Sequence, residues 1–364
     1  MQKDMHYYGI YVLARAAGIK KETAQIIASS SQFVDDSVEK IDYDHIDGSK
    51  IKSVATAHHS IDIKNVDPVD QRYVWVPFHF LPGGKGETFT EKLICVKNSN
   101  IAIEMRDNAI ANYDKEFSAE LMGVTAHVYA DTFAHYGFSG VSSTKNQIIN
   151  DSINVEVVNP DVKDYIEGKF KAFFDDFNPI YENIRSIIST AAETFSGALG
   201  HGAVATYPDR PYLKWNFKYE YDRIDDLKLD TRDNKVTFME ACEQLFNMFK
   251  EYANNKIDVK DVNINQTFED IKENISDIIS FEGNKKDRSE QWSKSLRENL
   301  FFESDETEVP KYLGLDWLEE LENLDNSDIE DLSSLEVYKY FQAAEYHLNY
   351  VLRELLPKNE IYVI

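Results

Sequence analysis

Apolar and small side chains recur at helical spacing through most of the chain, and only short stretches break that rhythm. Tyr8, Val12, Leu13 and Ala16 share one side of a helix expected over residues 4 to 17, which Gly18 stops. A second helix is expected from about Lys21 to Glu39, with Ala24, Ile26, Ile27, Phe33 and Val34 apolar and Asp35 and Asp36 in its last turns. The pattern predicts further helices at Asn100 to Tyr113, at Ser118 to His135 with Ser118 as N-cap, and from about Val162 to Gly197. Four more are expected near 235–254, 266–281, 286–300 and 333–355. Between them, Tyr73 to Gly84 is aromatic and closed by Pro-Gly, which reads as a short strand or a packed loop. Glycines 197 to 202 break the chain around His201, and Tyr207 to Tyr212 forms a proline-stiffened loop. Glu303 to Glu308 and Glu319 to Asp331 read as solvated loops and helix faces. No internal repeat is visible. The expected fold is mainly α: a multi-helix bundle with few short strands. A helical core over 1–254 is followed by a C-terminal helical extension over 255–364, appended or continuous with it.

One helix stands apart. Residues 118 to 135 are apolar nearly all round (Leu121, Met122, Val124, Val128, Tyr129, Phe133), so this helix is expected at the centre. It also carries His127, Asp131 and His135. Two steps of four residues each advance only about 40° around a helix, so the three side chains project from one face. A polar stripe there would need three separate buried partners, whereas one shared cation satisfies all three. Imidazole and carboxylate are common ligands of zinc and similar divalent ions. The bundle is therefore expected to enclose a His/Asp metal site.

Composition narrows the function. The 364 residues carry a formal net charge of −25. Such a surface repels long nucleic acid and anionic membranes, while a recessed cation cluster can still draw in a small phosphate-containing substrate. Cys95 and Cys242 form no metal-binding spacing and no disulfide framework. No signal segment and no run of roughly 18 apolar residues occurs, so the reading is a cytoplasmic protein without membrane insertion.

The other candidate ligands are spread along the first 201 residues. His6 follows Asp4 at a helix start. Asp35 and Asp36 sit where a helix dipole disfavours carboxylates, which suggests a job for at least one of them. His58 and His59 are adjacent, so at most one of them is expected to face a shared site. His79 lies between Phe78 and Phe80, and His201 between Gly200 and Gly202. Asp209 and Arg210 read as a surface pair, and His45 and His347 as structural residues. No phosphate-binding glycine loop, Gly-x-Ser-x-Gly elbow, His-Glu-x-x-His, His-Asp dipeptide or Glu-x-x-His pair is present.

In chain order His6, Asp35 or Asp36, His79 or His58, His127-Asp131-His135 and His201 resemble the zinc-dependent phospholipase C and single-strand nuclease superfamily. That resemblance implies an all-α hydrolase with a zinc cluster that cleaves phosphate esters. Secreted members of that superfamily also use a mature amino terminus and a Trp as ligands; Met1-Gln2 offers no such terminus. The late His is there followed four residues on by a carboxylate, where this chain has Ala205. The chain resembles still more an uncharacterised bacterial family, through Met1 to Tyr8, Gln32 to Asp36, Pro77 to Gly83, His127 to Gly140 and the segment from Tyr207.

The expected function is a metal-dependent phosphoesterase-like hydrolase holding one to three divalent ions, most simply zinc. His6, Asp35, Asp36, His58, His79, His127, Asp131, His135 and His201 are the candidate ligands, and Asp35 and Asp36 double as candidates for taking the proton. The alternative is a non-catalytic, metal-stapled helical scaffold. In either case the acidic C-terminal half offers a surface for a protein partner or an oligomer.

Overall fold

The computed structural model describes residues 1–59, 63–169, 171, 204, 206–220, 229–326, 329 and 331–363. Among these the protein is mainly α-helical. A π-helical turn, Asp4–Gly9, leads into α1 (Ile10–Ala16). Gly18, at φ +90°, takes the left-handed conformation that lets the chain turn back into α2 (Lys21–Asp36). α2 ends earlier than expected because Ser37 leaves helical geometry and donates its hydroxyl to the Val54 carbonyl at 2.8 Å.

A small antiparallel hairpin, β1 (Asp42–Asp44) and β2 (Lys50–Lys52), follows. The segment expected as strand or loop is instead largely helical: α3 (Pro68–Asp70), a π-helical turn Gln71–Trp75 and α4 (Val76–Phe78) run end to end. The Asp67 side chain starts it, accepting from the backbone N–H of Val69 at 2.7 Å and of Asp70 at 3.1 Å. Pro68 sits at the first helical position, where its fixed φ helps. This turn aims His79 inward.

After α5 (Phe89–Lys92) and α6 (Asn100–Ala111) comes α7 (Ser118–Ala134). It is the central rod, buried along almost its whole length and packed by α2 and α6. Ser118 is its first residue rather than its cap; the hydroxyl is used by Tyr252 Oη at 3.0 Å and Lys256 Nζ at 2.9 Å.

The sequence pattern missed a three-stranded antiparallel sheet, ordered β3 (Ile148–Glu156), β4 (Lys214–Tyr219), β5 (Leu229–Asp233). Helix α8 covers 160–169 between β3 and β4; the remainder of the helix expected up to Gly197 lies outside the described residues. Arg232 of β5 fastens the sheet to the end of α7. Its guanidinium lies 4.0 Å from the Tyr136 ring centre, donates to the Tyr136 carbonyl at 2.7 Å and pairs with Asp230 at 2.9 Å.

The rest is helical: α9 (Asn234–Asn255), α10 (Phe268–Ser280), α11 (Lys285–Arg297), α12 (Gly314–Glu322), α13 (Glu336–Tyr350), a π-helical turn Val351–Leu355 and α14 (Leu356–Lys358). α9 and α13 complete the shell around α7. Residues from before and after position 255 share one continuous hydrophobic core. Buried polar clamps reinforce it. Arg288 on α11 grips Asp4, and Glu306 accepts from Tyr11 and from Arg15 Nη2 at 2.6 Å. Glu306 thus corrects the expectation of a solvated acidic loop: a buried guanidinium on α1 needs its charge. No helix among the described residues is long and apolar enough to cross a membrane. Cys95 and Cys242 are buried free thiols.

Two consequences concern α7 directly. A Cβ on Gly123 would run into the Ile27 carbonyl and the Ser30 side chain of α2. Gly123→Ala is therefore expected to destabilise the protein by about 1–3 kcal/mol, read by urea denaturation, since neither rigid backbone can yield cheaply. Glu120 is 2% exposed, and burial pushes its carboxyl up to about 7. Its folded-state value lies above the unfolded one, so it costs nothing below pH 4 and an increasing amount as pH rises towards 7. Glu120→Gln should leave stability unchanged near pH 4 and raise it at pH 8, by up to about 3 kcal/mol. Equal stability of the two proteins at pH 8 would contradict the buried carboxylate.

Candidate metal centre

Asp131 is the hub. It is 1% exposed, and three elements bring four imidazoles to its two oxygens. Oδ1 lies 3.1 Å from His6 Nε2, carried in by the π-helical turn before α1. Oδ2 lies 3.2 Å from His127 Nε2, 3.4 Å from His79 Nδ1 and 3.5 Å from His135 Nδ1. His127, Asp131 and His135 thus do converge, with His135 at the residue that caps α7. His6 and His127 stack at 3.8 Å between ring centres.

Second partners fix the proton on three of the rings, those of His127, His79 and His135. His127 Nδ1 lies 2.8 Å from the Ser31 carbonyl, and a carbonyl only accepts, so Nδ1 holds the hydrogen. His79 Nε2 lies 2.9 Å from the Thr56 carbonyl, so its hydrogen sits there. In the neutral rings, the atoms left over are His127 Nε2 and His79 Nδ1, which face each other at 3.2 Å as two lone pairs. Asp35 Oδ1 closes the same space, 3.8 Å from His127 Nε2. His135 repeats the pattern: Nδ1 is 2.8 Å from the His79 carbonyl, leaving Nε2 towards Asp209 Oδ1 at 3.2 Å. Metal-ligating histidines characteristically give their other N–H to a carbonyl or carboxylate in this way.

Two donor sets, which share His127, are each compact enough to hold an ion: His6, His127 and Asp131, or Asp35, His79 and His127. Within each set the ligand atoms lie within 4.8 Å of one another.

The charges respond to this crowding. Burial would raise Asp131, but His135, the Met1 amino group, His127 and His6 outweigh it and hold the carboxyl well below the usual range. Burial, and then the neighbouring His127, push His6 well below its ordinary value. Burial also lowers His79. His127 is raised: burial opposes its charge, yet Asp131 and Asp35 prevail. Asp35 is half-buried and shifted up by burial, against the pull of His127 and His79.

Some expected residues stand elsewhere. Asp36 is exposed and accepts from Tyr312 Oη at 2.6 Å, one position round the helix from the cluster. His58 Nε2 sits 3.7 Å from Asp70 Oδ2, and its ring meets Trp75 edge-on at 6.5 Å rather than Asp131. His201 lies outside the described residues. His347 gives its Nε2 hydrogen to the Pro77 carbonyl at 2.9 Å, a structural role.

Two participants escaped the sequence pattern. Asp209 is buried against His135, which corrects the reading of Asp209 and Arg210 as a surface pair; both are under 7% exposed. The prolines on either side, Pro208 and Pro211, were the available signal that this loop is held in place. The Met1 nitrogen was also not expected. It lies 2.5 Å from Asp131 Oδ1 and 3.3 Å from Asp209 Oδ1. Burial disfavours its charge, but these two carboxylates raise it to about 11.

No curated protein and no solved structure matches the chain. One family profile does, over residues 1–355, so α1 to the π-helical turn after α13 falls within a single match. By that match the chain belongs to DUF6765, a family of unknown function.

Proposed function

We propose that the protein is a metal-dependent hydrolase of a phosphate ester, binding zinc or a similar divalent ion at Asp131. The observation that carries this reading is the approach of His127 Nε2 and His79 Nδ1 to 3.2 Å beside two carboxylates. Backbone carbonyls hold the hydrogens of both rings on the far side. Such a space suits a cation and disfavours an empty, neutral arrangement. The order of ligands along the chain, similar to that of the zinc-dependent phospholipase C superfamily, supports the reaction class.

His6 on the Oδ1 side of Asp131, and His79 and His127 on its Oδ2 side, would hold a divalent ion together with it. A bound divalent ion supplies Lewis acidity and lowers the pKa of a coordinated water towards about 7. Asp35 is the one carboxylate of the two compact sets that reaches solvent, and its raised pKa suits it to receive a proton at the mouth of the site. His135 and Asp209 brace the opposite edge.

The test is elemental analysis of the purified protein, with turnover measured on phosphomonoester and phosphodiester panels before and after chelation. One or two zinc ions per chain and chelator-sensitive hydrolysis are expected. Folded protein that takes up no divalent ion would refute the reading. Bound metal without turnover on any ester would favour a metal-stapled scaffold instead.

A further inference from the structure

Four arginines are buried among the described residues: Arg15, Arg210, Arg232 and Arg288. Three have a carboxylate partner, namely Glu306 and Asp261 for Arg15, Asp230 for Arg232 and Asp4 for Arg288. Arg210 has none among the described residues. It is 3% exposed, its Nη2 donates to Thr206 Oγ1 at 3.1 Å, and its Nε and Nη1 reach no acceptor. The Tyr212 hydroxyl is buried as well, and the Arg210 guanidinium reaches towards it. Asp4, the acid that acts on Tyr212, is already held by two bonds from Arg288, at 2.7 and 3.0 Å. The Arg210 guanidinium is braced 5.5 Å from the Tyr165 ring centre, and Arg288 stands 5.6 Å from that of Tyr212.

An unpaired buried guanidinium is costly to hold, and its planar fork of donors matches the oxygens of a phosphate. In a chain of net charge −25, a place where Arg210 lacks a carboxylate and Arg288 stands close by is where an anion would settle. Its position is also informative. Arg210 directly follows Asp209, which lies 3.2 Å from His135 Nε2 at the edge of the metal centre.

We propose that Arg210 Nε and Nη1 and the Tyr212 hydroxyl form an anion subsite on the Asp209 side of the metal centre, which holds a phosphate group of the substrate. The assignment to a substrate rests on the hydrolase reading; the binding of the anion does not.

Inorganic phosphate is the probe, titrated calorimetrically into the full-length protein at constant ionic strength, both metal-loaded and chelator-treated. Phosphate should bind both forms of the wild type. Arg210→Met should weaken binding about 100-fold or more in both, the effect of losing two charge-assisted hydrogen bonds. Arg210→Lys should recover part of the loss, and Tyr212→Phe should show a smaller one. Metal content should be the same in all four proteins. Phosphate affinity unchanged in Arg210→Met, or phosphate binding present only with metal and indifferent to Arg210, overturns the subsite. Should the Met variant not fold, unchanged affinity in both Arg210→Lys and Tyr212→Phe overturns it equally. A wild type that takes up no metal but needs Arg210 for phosphate would sink the hydrolase reading and leave the subsite standing.

Discussion

Asp131→Ala is expected to strip the protein of its metal and of any hydrolytic activity. Asp131 touches every other member of the cluster except Asp35 and Asp209, and it does so with both oxygens. On the proposed reading, Asp131 is the carboxylate shared by most of the ligands, so its removal would open the site. Loss of even an outer-shell partner typically weakens a metal site 10- to 100-fold, so a loss of at least about 100-fold in affinity is expected here. Elemental analysis should find less than roughly a tenth of the wild-type metal, with far-UV circular dichroism showing the helices retained. The pattern across variants matters more than one result. Asp36→Ala and His58→Ala should keep wild-type metal content, because Tyr312 and Asp70 are the neighbours those side chains meet. Metal lost equally from Asp36→Ala and Asp131→Ala would mean that the observed cluster is not the binding site.

Arg288→Met is expected to cost about 3–5 kcal/mol of stability, the usual penalty when one partner of a buried pair is removed. Arg288 on α11 makes two bonds to Asp4, a third to Gln2 Oε1 at 2.5 Å and a fourth to the Gly283 carbonyl at 2.8 Å. The pair is 1% and 3% exposed, so solvent does little to soften the loss. Because His6 shares a turn with Asp4 and donates its backbone N–H to the Gln2 carbonyl at 2.9 Å, the same change should weaken metal binding without touching a ligand. Adding Asp4→Asn removes the stranded carboxylate, so the double variant should be less destabilised than the sum of the single ones. Denaturation in urea gives the stability and a metal titration gives the affinity. Strict additivity of the two single variants would show that the pair is not coupled, and unchanged metal affinity would show that the clamp does not position His6.

The two predictions probe different ranges of the same design. Asp131 acts within a few ångströms, through atoms on one helix face. Arg288 acts across 284 positions of sequence, and ties a C-terminal helix to the first residues of the chain.

What the sequence determined by itself was local and periodic. A helix carrying His127, Asp131 and His135 at steps of four puts them on one face wherever it is packed, because helical geometry depends only on near neighbours. The same holds for α2, α6, α9 and α10, whose apolar spacing marks them within a few residues. Lone ligand candidates such as His6 and His79 were visible by type and setting, but no local rule chooses between His58 and His79 or between Asp35 and Asp36. The tertiary structure makes that choice: one residue along α2 rotates a side chain by about 100°, enough to put Asp36 at the surface and Asp35 beside His127. It also supplied what pattern cannot encode. The carbonyls of Ser31, Thr56 and His79 that fix the ring protons come from backbone, identical at every residue until packing selects three of them. The β3-β4-β5 sheet, the burial of Asp209 and Glu306 and the Arg288 clamp depend on contacts between distant segments, whose partners become neighbours only when the chain has folded.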